Sequence, residues 1–468
     1  MKISDALINT KDPERLDLIR KFSERFPEET ECYISRAPGR VNLIGEHIDY
    51  NGYGVMPMAV NREIMCCFAP SSSPVVEIYD SVRENPFRTF SISGDIEPFE
   101  MGNWGNYIKA PCQAMFRWAK DRYEDKIPLM GFKAVLNGTI PPAAGLSSSS
   151  AIVVCIGAIV SFINRLKIGK SEFADLMAKA ECYVGTMGGG MDQTASVFGH
   201  SRGPLRIKFK PIRVDTVLMP EGYSFIIANS MKKAKKSGEA RYYFNNRSIS
   251  CKFGLEILRN ITKEDYPDTV YAPSLRRLQK LIGWEKFLKY FEKIPKHPMS
   301  VEEISSLSGI SVSDIRENYL KLADDEYLPV PTEGFKIYDR LLHVFTEAKR
   351  VSATKNAMEK SEMDKVAVYM DESHASCRDL YEISTPEVEK LISCLKKAGT
   401  MGSRITGAGW GGCTVSLVRK EDAQRIIDEV WQTYYLDYAK GNEELIAFDD
   451  KNKVIFECVP QGGAEIIK

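Results

Sequence analysis

Residues 141–151 read PPAAGLSSSSA, a small-residue turn that runs into four serines and then into an apolar stretch ending near Ile163. The pattern predicts a helix over Ser148–Leu166. Its first backbone N–H groups have no intrahelical partner, and the aligned peptide dipoles place roughly half a positive charge there. Such an end is an anion cradle that suits a phosphate. Gly145 lets the backbone pass close to a ligand, Ser147 is a natural N-cap, and the other hydroxyls reach phosphate oxygens or a phosphate-bound metal. The same letters also fit a plain capped core helix, so the rest of the chain has to decide.

Working outward, Tyr33–Arg36, Ile64–Phe68, Val75–Tyr79 and Phe132–Leu136 read as strands, and Asn106–Lys120 reads as a helix. The first half is therefore α+β. After Pro204, LRIKF, Thr216–Met219 and Ser224–Ala228 read as further strands, a helix-rich tract runs from about Phe253 to Arg350, and a final strand falls at Thr414–Val418. These signals place a boundary near residue 215, giving units 1–215 and 216–468 with a helical insertion at about 253–335. Within the insertion, MSVEEISSLSGISVSDIRENYL (299–320) forms two short helices joined at Gly309, an outline shared with DNA-reading motifs. Glu302, Glu303, Asp314 and Glu317 would repel phosphates, which favours a structural helical pair.

Lys+Arg and Asp+Glu both number 63, so no net field draws the chain to nucleic acid or to a membrane, and small-molecule partners are expected. Eleven cysteines form no CxxC pair and show no metal-type spacing with the five histidines, which predicts reduced thiols, no zinc site and a cytoplasmic location. The Cys66-Cys67 pair within REIMCCF reads as core filling. The first twenty residues mix acids and bases, unlike a secretory or transit signal, and Ala151–Ile163 is too short to span a bilayer. A monomer is expected.

Three more segments carry chemistry. RAPGRVNLIGEHIDYNGYGVMPMAV (36–60) sets Arg40, Glu46, His47 and Asp49 within ten residues at a strand end and glycine-rich turn. Carboxylates accept from vicinal hydroxyls and histidine donates or accepts, so the set suits a polyol ring, with a surface turn of internal ion pairs as the plainer alternative. GTMGGGMDQTASVFG (185–199) puts Asp192 after three glycines that let a ligand or second backbone come near the carboxylate. SRITGAGWGGCTV (403–415) is a glycine-rich turn before a strand, usable as a phosphate-side wall or as a tight hairpin.

In this order and over most of the chain, the four segments resemble the galactokinase branch of the GHMP kinases, nearest the eukaryotic subgroup that includes N-acetylgalactosamine kinase and galactokinase. The resemblance implies an N-terminal domain of ribosomal protein S5 domain 2-like type, a ferredoxin-like C-terminal domain, and an active site between them. It implies that Asp192 and Arg40 are catalytic, that Arg40, Glu46, His47, Asp49, Gly189 and Asp192 hold the sugar, and that Gly145, Ser147, Ser148 and Ser149 hold ATP. Ser148 and Glu181 would bind Mg2+, and Trp104 and Tyr107 would lie near the adenine. Where galactokinases usually carry a sugar-contacting tyrosine this chain has Phe244, as in N-acetylgalactosamine kinase, although Tyr243 is adjacent. Losing that hydroxyl suits an acetamido methyl, so N-acetylgalactosamine is the favoured substrate, with galactose alone as the alternative. A non-catalytic sugar and ATP sensor is the competing class; such regulators lack the small loop residues present here as Ser150 and Ala151.

The chemistry expected of Asp192 follows from general arguments. A carboxylate with a reference pKa of about 3.9 cannot remove a sugar hydroxyl's proton outright, but in a loose phosphoryl transfer it need only take that proton late. Arg40 would keep it ionised, a pair at about 4 Å being worth roughly 4 kcal/mol at an effective dielectric of 20.

Overall fold

The computed structural model describes residues 1–468 apart from 83–86, 101, 124–128, 142–143, 186–187, 233–238 and 322–325, and for 239–241 the backbone alone. Strand β1 (Tyr33–Ile44) is buried along almost its whole length, because it pairs with one strand throughout and with a second at Ile34–Arg36, and the Ser148–Ile163 and Met191–Phe198 helices cover it. It belongs to a six-stranded sheet with β2 (Met56–Pro70), β3 (Val75–Asp80), β4 (Phe87–Ser91), β5 (Phe132–Gly138) and the C-terminal β12 (Glu465–Ile467), in the order β12-β1-β2-β5-β3-β4. All neighbours are antiparallel except β3 and β5. The apolar Ser148–Ile163 helix packs on β1 and β2, and Ser35 Oγ donates to the Cys155 carbonyl across that contact at 2.9 Å. Cys66 and Cys67 are both fully buried as core residues, on opposite faces of β2: Cys66 under this helix, and Cys67 against Leu18, Ile19 and Phe22 of the N-terminal Pro13–Arg25 helix.

A β6–β7 hairpin (Leu205–Lys208 and Arg213–Thr216) leads to a second, four-stranded sheet. Its strands are β8 (Tyr223–Asn229), β9 (Gly402–Ile405), β10 (Cys413–Arg419) and β11 (Ile455–Cys458), ordered β11-β8-β10-β9. The Met363–Asp379 and Pro386–Lys397 helices pack on this sheet. Direct bonds join it to the first: Asn42 N donates to Thr406 Oγ1 at 2.9 Å and Arg404 Nη1 to the Asn42 carbonyl at 2.7 Å. Cys413 N reaches the Ala144 carbonyl and Arg40 N the Leu146 carbonyl, at 3.0 and 3.1 Å. The end of β1, the 144–147 turn and the 406–413 loop therefore meet at one place. The β1–β2 ladder shifts register between Pro38 and Arg40 and again between Asn42 and Ile44, and such irregularities re-aim side chains beside a site.

Several expectations need correction. The helix ends at Ile163 rather than Leu166. The strand placed at Thr216–Met219 instead spans Arg213–Thr216; Val217 and Met219 only donate singly to the Pro204 and Arg202 carbonyls, and Pro220 follows. Thr414–Val418 lies within β10 but is not last, because β11 and β12 follow. The short β12 has little strand signal of its own and exists through pairing with β1. The helical pair expected at 299–320 is present: Val301–Ser308, with Gly309 in the left-handed conformation after it, and then Val312–Ile315 running directly into the π-helical Arg316–Leu320. Among the described residues no helix is long and apolar enough to cross a membrane.

Candidate active site

Asp192 sits in the first turn of the Met191–Phe198 helix. Arg40 Nε donates to its Oδ1 at 2.7 Å, and Ser147 Oγ donates to its Oδ2 at 2.5 Å. Arg40 also donates through Nη1 to the Gly145 carbonyl at 2.7 Å, so one guanidinium spans the carboxylate and the serine-rich turn. Gly145 has φ +74°, and a Cβ there would stand 3.2 Å from the Thr406 carbonyl oxygen. Ser147 precedes the helix but does not cap it with its side chain: its backbone is left-handed, at φ +59°, and its hydroxyl goes to Asp192. This corrects the N-cap expectation. Ser148 and Ser149 are half-buried at the start of the helix, and their hydroxyls have no hydrogen-bond partner among the described residues.

The 45–53 turn is held from behind. Glu46 is 2% exposed and ion-paired with the fully buried Arg404 at 3.0 Å. Burial raises the Glu46 pKa against the pull of Arg404 and Arg40. Glu347, on the Ile337–Glu359 helix, accepts from Gly45 N at 2.8 Å, from Ser373 Oγ at 2.6 Å and from Arg350 Nε at 2.8 Å. Burial alone would raise its pKa, but Arg350 and Arg404 hold it at about 2. His343, pushed down to about 4 chiefly by burial, is neutral; its Nε2–H donates to the Glu46 carbonyl at 3.0 Å, leaving Nδ1 to accept from Ser376 at 2.8 Å.

His47 is held near pKa 3, first by burial and then by His343. It is therefore neutral, and its Nε2 can only donate to the Ala408 carbonyl 3.0 Å away. Nδ1 then accepts from Tyr50 at 3.1 Å, Tyr50 from Tyr381 at 2.8 Å, and Tyr381 from the Cys251 thiol at 3.3 Å, a chain of donors with one direction. Phe244 packs on this turn, with its ring 5.6 Å from that of His47 and 6.1 Å from that of Tyr50. Tyr243 points elsewhere: it is 41% exposed and stacks on Trp410. Asp49 is half-buried, and its pKa is raised to about 6 by burial and then by Asp192. Its Oδ2 would lie 2.1 Å from a Cβ on residue 189, so only glycine fits at Gly189.

Glu181, at the end of the Lys170–Ala180 helix, accepts from Ser150 Oγ at 2.7 Å, and Gln193 Nε2 donates to the same hydroxyl at 3.2 Å. This links Glu181 to the helix start through Ser150, two residues beyond Ser148. Tyr107 is half-buried near Glu181; burial, then that carboxylate, raises its pKa. Trp104 is buried with the Arg88 guanidinium 5.2 Å from its ring. Among the described residues no cluster of three or more His, Cys, Asp or Glu forms a metal cage. Hard oxygen donors from Ser148 and Glu181 still fit Mg2+, which takes one or two protein ligands beside phosphates and water.

Sequence reasoning did not assign Arg404, Glu347, His343 or Tyr381 to the site. A charged residue inside the otherwise small and apolar SRITGAG was the available signal for Arg404. Glu347 and His343, on the Ile337–Glu359 helix, and Tyr381, just past the end of the Met363–Asp379 helix, lie about 300 residues from the turn they support, with no local mark.

Residues 20–70 match the galactokinase galactose-binding signature, 106–200 the GHMP kinase N-terminal domain and 354–436 the GHMP kinase C-terminal domain. The chain is 30% identical to a galactokinase of Dictyostelium discoideum, over 96% of this chain and 93% of that protein. It is 28% identical to a galactokinase of Schizosaccharomyces pombe, over 96% and 95% respectively. Among solved structures, Lactococcus lactis galactokinase complexed with galactose aligns with TM-score 0.69 at 22% identity, covering 95% of this chain and 98% of that one. Methanococcus jannaschii mevalonate kinase aligns with TM-score 0.55 at 17% identity, covering 92% and 98%. With sugar signature, kinase domains and fold all in agreement along nearly the full length, this chain belongs to the galactokinase family, sugar-kinase phosphotransferases with the α+β fold of the GHMP kinases.

Proposed function

We propose that this chain transfers the γ-phosphoryl group of ATP to the anomeric hydroxyl of a galactose-configured sugar, giving the sugar 1-phosphate and ADP. The observation that carries this reading is the Asp192 carboxylate, bracketed by Arg40 Nε and Ser147 Oγ at the mouth of the 144–147 turn. A donor on each carboxylate oxygen fixes its orientation for accepting the sugar hydroxyl's proton as the O–P bond forms. Arg40 sits where it would offset charge building up between nucleophile and phosphate. Glu46, His47, Asp49 and Gly189 would form the sugar side, and Gly145, Ser147, Ser148 and Ser149 the phosphate side, with Trp104 and Tyr107 toward the base. Ser148 and Glu181 would hold Mg2+, which would supply charge neutralisation of the phosphates. On this reading the chain divides near residue 215 into two units that share the cleft, and its free thiols suit a reducing cytoplasm.

The finer assignment is N-acetylgalactosamine alongside galactose. Its support is that Phe244, rather than Tyr243, packs on the sugar turn, giving an apolar wall where a hydroxyl would favour a smaller polar sugar. Galactose as sole substrate is the second reading, favoured by the names of the relatives. The test is to incubate the protein with Mg-ATP and each sugar and identify the product by phosphorus NMR. A phosphate coupled to the anomeric proton is expected. A phosphate on another hydroxyl, or ATP hydrolysis alone, would refute the proposal.

A further inference from the structure

Six arginines are buried among the described residues, and five have a carboxylate partner: Arg36 with Glu63, Arg40 with Asp192, Arg247 and Arg340 with Glu382, and Arg404 with Glu46. Arg206 is the exception. It is 7% exposed, and its one hydrogen bond among the described residues is a 3.4 Å contact to the carbonyl of its neighbour Ile207. A buried cation without a partner is destabilising unless something outside the chain neutralises it.

Its surroundings are also cationic. Arg206 pairs across the hairpin with Asp215, and Lys208 with Arg213, so these four side chains share one face of the β6–β7 ribbon. Asp215 is the one carboxylate of that face, 3.8 Å from Lys208. The Leu275–Ile282 helix brings Arg276, Arg277 and Lys280 against them. Like charges from Arg276, and less strongly from Arg277, Lys208 and Arg213, push the Lys280 pKa down. Burial, then Arg276, brings Arg206 down to about 10. A Cβ at Gly54 would stand 2.2 Å from Arg206 Nη1, so the guanidinium lies directly on that glycine. Beside it, the Tyr53 hydroxyl is buried without a hydrogen-bond partner, and the Arg276 guanidinium is 6.0 Å from the Tyr53 ring.

We propose that this cluster is a binding site for a compact anion carrying two or more phosphoryl groups, one of them held by Arg206 and Arg276. Planar guanidinium groups bind phosphate oxygens in pairs, and the recessed Arg206 admits a small anion rather than a protein face. Lys208, Arg213, Arg277 and Lys280 hold the remaining charge. The site lies behind the sugar turn: Arg276 N donates to the Asn51 carbonyl at 3.2 Å, and Asn51 Nδ2 to the His47 carbonyl at 3.2 Å. None of its residues belongs to the candidate active site.

The test is calorimetric titration of the full-length protein with inorganic tripolyphosphate in the absence of divalent metal, comparing wild type with Arg206→Met and with the surface triple variant Lys208→Ser/Arg277→Ser/Lys280→Ser. Binding should weaken at least tenfold in each. Without the anion, Arg206→Met should melt at a higher temperature than wild type, and tripolyphosphate should no longer raise its melting temperature to the wild-type extent. No binding by wild type, or equal binding in both variants, would overturn the site. The readout is heat and melting temperature, so failure of the kinase reading would leave this result standing.

Discussion

The proposed sugar-side turn, Gly45–Tyr50, and the proposed nucleotide-side turn, Gly145–Ser149, meet at Arg40 but are built differently. Around Gly45–Tyr50 nearly every polar group already has a buried partner: Gly45 N on Glu347, the Glu46 carboxylate on Arg404, the Glu46 carbonyl on His343, and the His47 ring on Tyr50 and Ala408. Around Gly145–Ser149 the helix start points to the cleft, with the Ser148 and Ser149 hydroxyls free of partners among the described residues. One side is fixed by the body of the protein before any ligand arrives. The other keeps its donors for a ligand. Preorganisation on the sugar side favours selectivity, while open donors suit a phosphate chain shared by every nucleoside triphosphate.

The largest effect is expected where the two sides touch. Asp192→Asn and Arg40→Ala should each lower turnover by about 10²–10⁴-fold while changing sugar affinity far less. Steady-state kinetics with binding measured separately checks this.

Next, breaking the sugar-side support should be a stability event. Arg404→Leu leaves Glu46 without its buried counter-charge, removes one of the two arginines that hold Glu347 ionised, and should cost about 3–5 kcal/mol. Ser148→Ala should stay within about 0.5 kcal/mol and show itself in the KM for ATP. Denaturant titration of both variants sharpens the contrast; equal losses would erase it.

The pH response also separates the sides. His47 and His343 are neutral in the folded protein with pKa values near 3 and 4, so the unfolded chain takes up their protons first as pH falls below about 6.5. Stability should therefore fall from there toward pH 4. Asp49 acts oppositely: its folded pKa of about 6 lies above the unfolded value, so its penalty at neutral pH is relieved on acidification. Asp49→Asn should raise stability at pH 7 and steepen the acid loss. In wild type, kcat/KM for the sugar should rise with pH through about 6 as Asp49 ionises, and this limb should vanish in Asp49→Asn.

The smallest effect concerns specificity. Phe244→Tyr should shift the preference between N-acetylgalactosamine and galactose toward galactose by a fewfold or more, and Tyr243→Phe should not. An unchanged ratio in Phe244→Tyr would remove Phe244 from the sugar wall.

Legibility in the sequence followed locality. Arg40, Asp192 and the serine turn were readable because each sits inside a short glycine- and small-residue-rich run, and the order of those runs along the chain carries the family resemblance that decided between the alternatives each run left open. The approach of Arg40 to Asp192, 152 residues away, was implied by the family resemblance, with chemistry supplying the reason for the pairing, and is met in the structure at 2.7 Å. Glu347 and His343 were not readable, since a buried polar residue on a long helix looks like any solvent-facing position until its partner strand is known. Ser147 misled for a related reason. Its type fits a cap, but the carboxylate across the cleft competes for the hydroxyl and takes it. β12 escaped because three residues acquire strand character only from β1 beside them.

The most direct test of the central claim is ADP production from Mg-ATP across a concentration series of galactose and of N-acetylgalactosamine, with Asp192→Asn alongside. The account predicts sugar-dependent ADP release by wild type and near-background release by the variant, with both sugars accepted. Sugar-stabilised binding without turnover in wild type, or full turnover in Asp192→Asn, would contradict the role assigned to that carboxylate.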